Sequence, residues 1–306
     1  MTASRRVLLL PERRRFRGQP LSPPVGRLLG RADALPEAEP GERAQLLRHF
    51  RLQPPGWPVA ALLRQYEAAD AGQAQWLRAD PAFVRAEMMG ARLMAWSTLG
   101  LSADEADALL AEVQPAFAAE GLLLSRTGPE QWYLRLPAEA AMPEFSPPAE
   151  ALGGQLLAHL PEGEGARLWR RLGNEAQILL HQHPLNATRV ARGLPPVNTL
   201  WFWGGGRLPT QVTASSTGVR GSDAELSALA LAAGIGLEDR GGAEVLVDLR
   251  RARQVAAVEL ALTEALRELP ANHDGLLLDF ADGSGLRLAR GQGWRWLRPP
   301  LKTLES

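Results

Sequence analysis

Residues 183–206 read HPLNATRVARGLPPVNTLWFWGGG, and this stretch holds a helix, a loop, a strand and a glycine-rich exit in direct succession. Pro184 stops the preceding helix, because the residue before a proline is driven out of the helical region. Asn186 and Arg189 are three apart, so a short helix carries both on one face. The Gly193-Leu194-Pro195-Pro196 loop leads into residues 199–203, a β-branched and aromatic run that reads as a buried strand. Gly204-Gly205-Gly206 is expected to be the turn that closes it.

Working outward, residues 165–181 place Trp169, Leu172, Ala176 and Leu179 at helical spacing, an apolar stripe for a core. A self-contained pattern lies further upstream. Residues 91–96 read as a strand, and Ser102 with Glu105 three positions later forms a capping box. The helix it opens runs through Leu109, Val113 and Phe117 to Gly121, with Pro115 expected to kink it. Strands at 122–125 and 132–136 follow, joined by a turn at Thr127-Gly128-Pro129, and the prolines of 142–154 mark a linker. At the N-terminus Val7–Leu10 is a short buried strand, residues 19–40 an irregular Pro/Gly-rich loop, and 42–50 and 58–67 are helices. Toward the C-terminus a capping box at Ser222 and Glu225 opens a helix to Ala233. Residues 244–249 are a strand, 251–269 a helix, and 276–280 with 286–289 a hairpin about Asp282-Gly283-Ser284-Gly285. Alternating strands and helices predict an α/β fold, a mostly parallel sheet with helices on both faces, built from residues 1–90 and 146–306. Residues 91–145 are the expected inserted α+β domain.

The chain has 306 residues, enough for two domains or one carrying an insertion. Lys+Arg and Asp+Glu are equal at 34 each, so the clustered positive charge of a nucleic-acid scaffold is missing. Hydrophobic residues at 45% and charged ones at 22% exclude wholesale disorder. With no cysteine, disulfides, thiolate metal sites and a cysteine nucleophile are out. No apolar run approaches the ~20 residues of a membrane span, and Val7–Leu10 is too short for a signal peptide, so a cytoplasmic location with no membrane partner is expected. The wealth of Ala, Leu, Arg, Gly and Pro points to a GC-rich bacterial genome.

Asn186, Arg189, Arg192, Asn198, Gly204, Gly205, Gly206 and Arg207 form the densest constellation of polar and glycine residues. Glycines let backbone N–H groups approach an anion, and arginine offers a planar fork to two oxygens. These are the parts of a phospho-ligand pocket at the carboxyl edge of a sheet; the same residues could equally be a tight turn and a solvated surface. His181 and His183 lack the third ligand and the carboxylates of a catalytic zinc site. Ser215, Ser216 and Thr217 form a polar loop with no histidine near in sequence, and no Gly-x-Ser-x-Gly elbow exists. Asp248, Asp274, Asp279 and Asp282 are scattered over strand ends and turns. In Trp294-Arg295-Trp296-Leu297-Arg298 the alternation predicts a terminal strand with both tryptophans turned inward.

The string His183-Pro184-Leu185-Asn186, Arg189, Gly193, Pro195-Pro196, Asn198, Trp201, Trp203-Gly204 and Gly206 resembles the archaeal-type cofactor-independent phosphoglycerate mutases of the alkaline phosphatase superfamily. It resembles more closely the bacterial regulatory proteins of the RpfE type, which are mutase-like. The stretch from Ser102-Ala103-Asp104-Glu105-Ala106 to Tyr133-Leu134-Arg135-Leu136 is similar to the small domain those mutases carry, and Trp294–Pro299 is similar to the RpfE-type ending. The resemblance implies an alkaline phosphatase-like core and, for active members, two zinc or manganese ions held by Asp and His beside a Ser or Thr nucleophile. In the mutases the first strand ends in an Asp-Gly pair at the metal site; here it ends Pro11-Glu12-Arg13, and His273-Asp274 stands alone before its strand. The expectation is a metal-free, non-catalytic pseudoenzyme without cofactor, whose role is regulation or the binding of a phosphorylated small molecule through Asn186, Arg189, Asn198, Gly204–Gly206 and Arg207. The alternative is an active metal-dependent mutase or phosphatase with diverged ligands.

Overall fold

Val7–Leu10, four consecutive aliphatic residues, is buried without a break, as expected of a strand covered on both faces. It forms the centre of a sheet in the computed structural model, which describes residues 5–88, 90–238, 244–269 and 275–305. The chain begins with β1 (Arg5–Leu10), α1 (Pro23–Gly30), β2 (Asp33–Ala34), α2 (Glu42–His49) and β3 (Phe50–Gln53). It continues through α3 (Val59–Ala68), β4 (Gln75–Glu87), β5 (Gly90–Trp96), α4 (Ala103–Ala118), β6 (Leu123–Arg126) and β7 (Trp132–Leu136). Then come α5 (Pro148–Ala151), α6 (Ala166–Gln182), α7 (Leu185–Ala191) and β8 (Thr199–Gly206). It closes with β9 (Gln211–Ala214), β10 (Gly218–Arg220), α8 (Ala224–Ala232), β11 (Gly236–Leu237), β12 (Val245–Asp248), α9 (Val255–Glu268), β13 (Gly275–Phe280) and β14 (Gly285–Leu288).

Two units result, residues 1–55 with 210–306 and residues 56–209. The first is built on a seven-stranded sheet in the order β11-β10-β12-β1-β13-β14-β2. β1 runs parallel to both β12 and β13, and β10 runs parallel to β11 and β12. β14 is antiparallel to β13 and to β2. Leu8, Leu10, Val245, Val247, Leu276 and Leu278 meet Val258 and Leu262 of α9 in its core. A separate antiparallel pair, β3 with β9, sits in the same unit.

The second unit is antiparallel. The thirteen-residue β4 pairs with β5 and β7, and with β8 as well. Phe117 and Val113 of α4, Trp169 and Leu172 of α6, and Phe202 of β8 share its core. Both arms of the Ser102–Glu105 capping box form, and α4 runs on through Pro115 to Ala118.

Several expectations are corrected. The limits of residues 91–145 are not those of a unit, because β4, upstream of that segment, is the strand on which β5, β7 and β8 pair. Residues 19–40 are not one loop: Pro23-Pro24 occupies the first positions of α1, where the missing N–H costs nothing. The second capping residue is Asp223, whose carboxylate accepts from Leu226 N–H, rather than Ser222. The glycine triplet is the last part of β8, not a turn after it, and β8 pairs antiparallel instead of joining the parallel sheet. Trp294 and Trp296 are 74% and 68% exposed, because residues 292–295 wind into a 3-10 turn capped by Gly291 at φ +80°. Among the described residues no helix is long and apolar enough to cross a membrane.

Candidate functional site

The asparagine–arginine string folds inward. Asn186 on α7 is buried, donating from Nδ2 to Leu180 O (2.7 Å) and Val197 O (2.8 Å) and accepting from Val197 N–H (2.8 Å). Asn198 treats Val84 in the same way: it accepts from its N–H at 2.9 Å and donates to its carbonyl at 2.8 Å. That amide bridges β4 where its register against β5 shifts between Phe83 and Val84. Arg189 is 0% exposed; its guanidinium donates to Glu105 (2.5 Å), Leu99 O (2.5 Å) and Pro195 O (3.0 Å). Glu105 is the capping-box acid of α4, so one carboxylate ties α4, the 99–102 loop and α7 together. Arg192 reaches the same carboxylate at 3.3 Å from the surface.

The glycines are required by packing. Gly204 (φ +68°) and Gly206 (φ +147°) sit where a Cβ would strike Val59 and Pro58, and Gly205 lies against Met142. Arg207 differs: it is exposed, bonded to Gln73 O (3.1 Å) and Ala138 O (2.5 Å), and lines a cleft of 470 Å³ with Gln73, Gln75, Leu123 and Arg135. Of the candidate residues, Asn186 and Asn198 border a different hollow, of 680 Å³, with their amide hydrogen bonds spent inside the protein. His183 accepts from Leu185 N–H, and His181 is exposed at the end of α6, so neither converges on carboxylates.

Spacing along the chain did not reveal Asp80. Residues i and i+2 of a strand face the same side, and on β4 this aligns Arg78 with Asp80. Asp80 is fully buried and accepts from Arg78, from the indole N–H of Trp203 (2.8 Å) and Trp96 (3.1 Å), and from Trp132 N–H (3.1 Å). Arg78 also donates to the Tyr133 hydroxyl (2.6 Å), which donates to Glu67 (2.7 Å). Burial pulls the Arg78 guanidinium down more than any other influence, yet Asp80, Tyr133 and Glu67 together hold it above its ordinary value. The legible signal was the alternation of opposite charges inside an apolar strand.

In the first unit, the carboxyl ends of β10, β12 and β13 carry four aspartates, and the chain's own cations reach each of them. Arg250, 3% exposed, holds Asp248 through its N–H (3.0 Å), Nε (2.9 Å) and Nη2 (2.9 Å), and bridges to Asp223 at 2.8 Å. Arg48 and His49 each reach Asp279 at 2.6 Å. Arg13 N–H donates to Asp282 at 2.9 Å, and Glu12 pairs with Arg14. A divalent pair needs carboxylates free to give their lone pairs, and here guanidinium, imidazole, hydroxyl and backbone N–H groups take them. Among the described residues no three His, Asp or Glu are grouped to hold a metal ion. His273-Asp274 lies outside the described residues.

These pairs carry a pH signature. Burial raises the Asp223 carboxyl most, but Arg250, the Leu226 N–H and Arg251 together hold it below its ordinary 3.8. Asp282 is lowered too: burial opposes, while Ser284 and Arg13 win. A depressed carboxylate contributes stability above its unfolded value, and that stability is lost as pH falls through the folded one. Urea unfolding at pH 7 and pH 3 should therefore show a marked loss below ~4, shallower in Asp223→Asn. Equal slopes in both proteins would refute the assignment.

The chain is a mixed α/β protein, with a mixed sheet of parallel and antiparallel strands in one unit and an antiparallel sheet in the other. Over 92 residues the chain is 38% identical to a probable 2,3-bisphosphoglycerate-independent phosphoglycerate mutase of Geobacter sulfurreducens, which is 30% of this chain and 23% of the relative. Over 124 residues it is 34% identical to the 2,3-bisphosphoglycerate-independent phosphoglycerate mutase of Methanothrix thermoacetophila, 38% of this chain and 31% of that one. The matched segments thus span under a third of these curated relatives. The chain is phosphoglycerate mutase-like over that stretch. Among solved structures, a cofactor-independent phosphoglycerate mutase from Thermoplasma acidophilum aligns over 95% of this chain and 90% of its own, at 14% identity and a TM-score of 0.41. A protein from Pyrococcus horikoshii aligns over 94% and 88%, at 13% identity and 0.48. No family model matches the chain.

Proposed function

We propose that this is a phosphoglycerate mutase-like protein of the RpfE kind, with an alkaline phosphatase-like core. It binds a small phosphorylated ligand in a regulatory role and does not perform two-metal phosphoryl transfer. One observation carries the reading: guanidinium groups occupy the aspartates at the carboxyl edge of the parallel sheet, Arg250 on Asp223 and Asp248 foremost. Asn186, Arg189, Asn198 and Gly204–Gly206 then serve as the framework of the ligand-binding unit rather than as its donors. The cleft of Arg207 and Arg135 offers two exposed guanidinium groups to a phosphate.

Titration with 3-phosphoglycerate, followed by thermal unfolding, tests this. A ligand that binds only the native state adds about 2.7 kcal/mol at a hundredfold excess over Kd. The melting temperature should rise for the natural chain and hardly move for Arg207→Ala. An equal rise in both, or none in either, would remove the cleft assignment. Stoichiometric zinc or manganese in protein purified without added metal would instead favour the metal-dependent enzyme.

A further inference from the structure

The polar loop at 215–217 has no histidine near it in sequence, but the fold supplies one. Antiparallel pairing of β3 with β9 sets Phe50 opposite Ala214, so the residues just outside that ladder, His49 and Ser215, become neighbours. Ser215 N–H donates to His49 O at 2.9 Å, and Ser215 Oγ lies 3.4 Å from His49 Nδ1. On the far side of the ring, Nε2 is 2.6 Å from Asp279 Oδ2. The carboxylate can only accept there, so Nε2 carries the proton, and in the neutral ring Nδ1 then presents its lone pair to the serine hydroxyl.

Burial is distributed as a nucleophile and its base require: His49 and Asp279 are 6% and 5% exposed, whereas Ser215 is open to solvent. Arg48 grips both oxygens of Asp279 and orients the acid that orients the base. A second observation concerns the next residue. Ser216 is buried, and its Oγ has no hydrogen-bond partner among the described residues. A cavity of 230 Å³ lies on the Asp279 side of His49, bounded by Pro36, Arg48, His49, Asp279 and Ser284, while Ser215 faces solvent outside it.

We infer that Ser215, His49 and Asp279 form a metal-independent nucleophilic site that cleaves small uncharged carboxylic esters. The charge in the cluster selects the substrate class. The Arg48 guanidinium is engaged with Asp279, Phe280 O and Glu39 O, so it has no strong claim on a dianionic phosphoryl group. In the first half-reaction the Ser215 proton passes to His49 Nδ1 as Oγ bonds the carbonyl carbon, and the leaving alkoxide takes that proton as the ester bond breaks. Water, deprotonated by the same Nδ1, then attacks the acyl-serine. Its oxygen joins the acyl carbon, the Oγ–acyl bond breaks, and Ser215 recovers the proton. The balance is ester plus water to acid plus alcohol. Asp279 is a positioning residue that keeps Nε2 protonated throughout. The inference stands on the first unit alone and is independent of the phospho-ligand reading.

The test uses the full chain with 4-nitrophenyl acetate. The expected result is a burst of nitrophenolate and an acetyl group found by mass spectrometry on Ser215. Ser215→Ala, at an exposed position, should remain folded and lose both. His49→Ala should slow acylation by about a hundredfold or more, with imidazole in solution restoring part of it. Asp279→Asn should lower kcat and alter the pH–rate profile of acylation, whereas mere loss of folded protein scales the rate equally at every pH. Acetylation that spares Ser215, or that is indifferent to His49→Ala, would overturn the proposal. Preferential cleavage of 4-nitrophenyl phosphate would overturn the ester assignment.

Discussion

Asp80→Ala is expected to destabilise the 56–209 unit by about 3–5 kcal/mol, the range for breaking a buried ion pair by removal of one partner. Asp80 is fully buried and Arg78 only 4% exposed, so the surviving guanidinium has neither water nor a full carboxylate partner on β4. Two indole N–H groups and the Trp132 N–H lose their acceptor at the same time. Each orphaned buried donor adds roughly 1–3 kcal/mol, and since these terms are not additive the pair value is a floor. The readout is built in, because Trp96 and Trp203 pack edge to face at 5.7 Å around this carboxylate. Guanidinium-chloride unfolding followed by tryptophan fluorescence should show a lower midpoint. Asp80→Asn keeps the shape but not the charge, and should remain well below the natural protein. A loss under about 1 kcal/mol for Asp80→Ala would mean that the network is decorative.

Arg189→Ala should cost a similar ~3–5 kcal/mol for the same physical reason, in another place. Arg189 is the buried cation of the 183–206 string, and its removal leaves Glu105, among the described residues, with the exposed Arg192 as its one cationic partner. The carbonyls of Leu99 and Pro195 also lose their donor. Glu105 is shared with the capping box of α4, so Glu105→Gln combined with Arg189→Met should recover part of the loss by removing both charges at once. A double-mutant cycle by urea denaturation measures that coupling. Coupling near zero would show that Arg189 acts through its bulk alone. The comparison with Arg207→Ala is instructive: that exposed residue should change stability little while abolishing any shift with phosphoglycerate.

The elements themselves were largely legible in the amino-acid sequence. Val7–Leu10, the Ser102–Glu105 box, the α6 stripe and the hairpin at Asp282-Gly283 each rest on local chemistry: an aliphatic run, a cap, a 3.6-residue period and a turn. The 183–206 string was likewise visible as a run of residues. The purpose of its residues was not. Asn186, Arg189 and Asn198 read as ligand donors because donors to a phosphate and donors to a buried carbonyl are the same atoms, and only packing tells which they face. Asp80 escaped notice since its partners Trp96, Trp132 and Trp203 lie up to 123 positions away.

By itself, then, the chain determined most of its helices and strands, its lack of thiol chemistry and its likeness to phosphoglycerate mutases, because these depend on residue type and short spacing. The tertiary structure alone decided which charges meet: Arg250 with Asp223 and Asp248, Arg189 with Glu105, His49 with Asp279 and Ser215. Coulombic and hydrogen-bond energies act over a few ångströms of space, whatever the separation along the chain. Pairing of β3 with β9 and of β1 with β13 is what turns distant positions into neighbours.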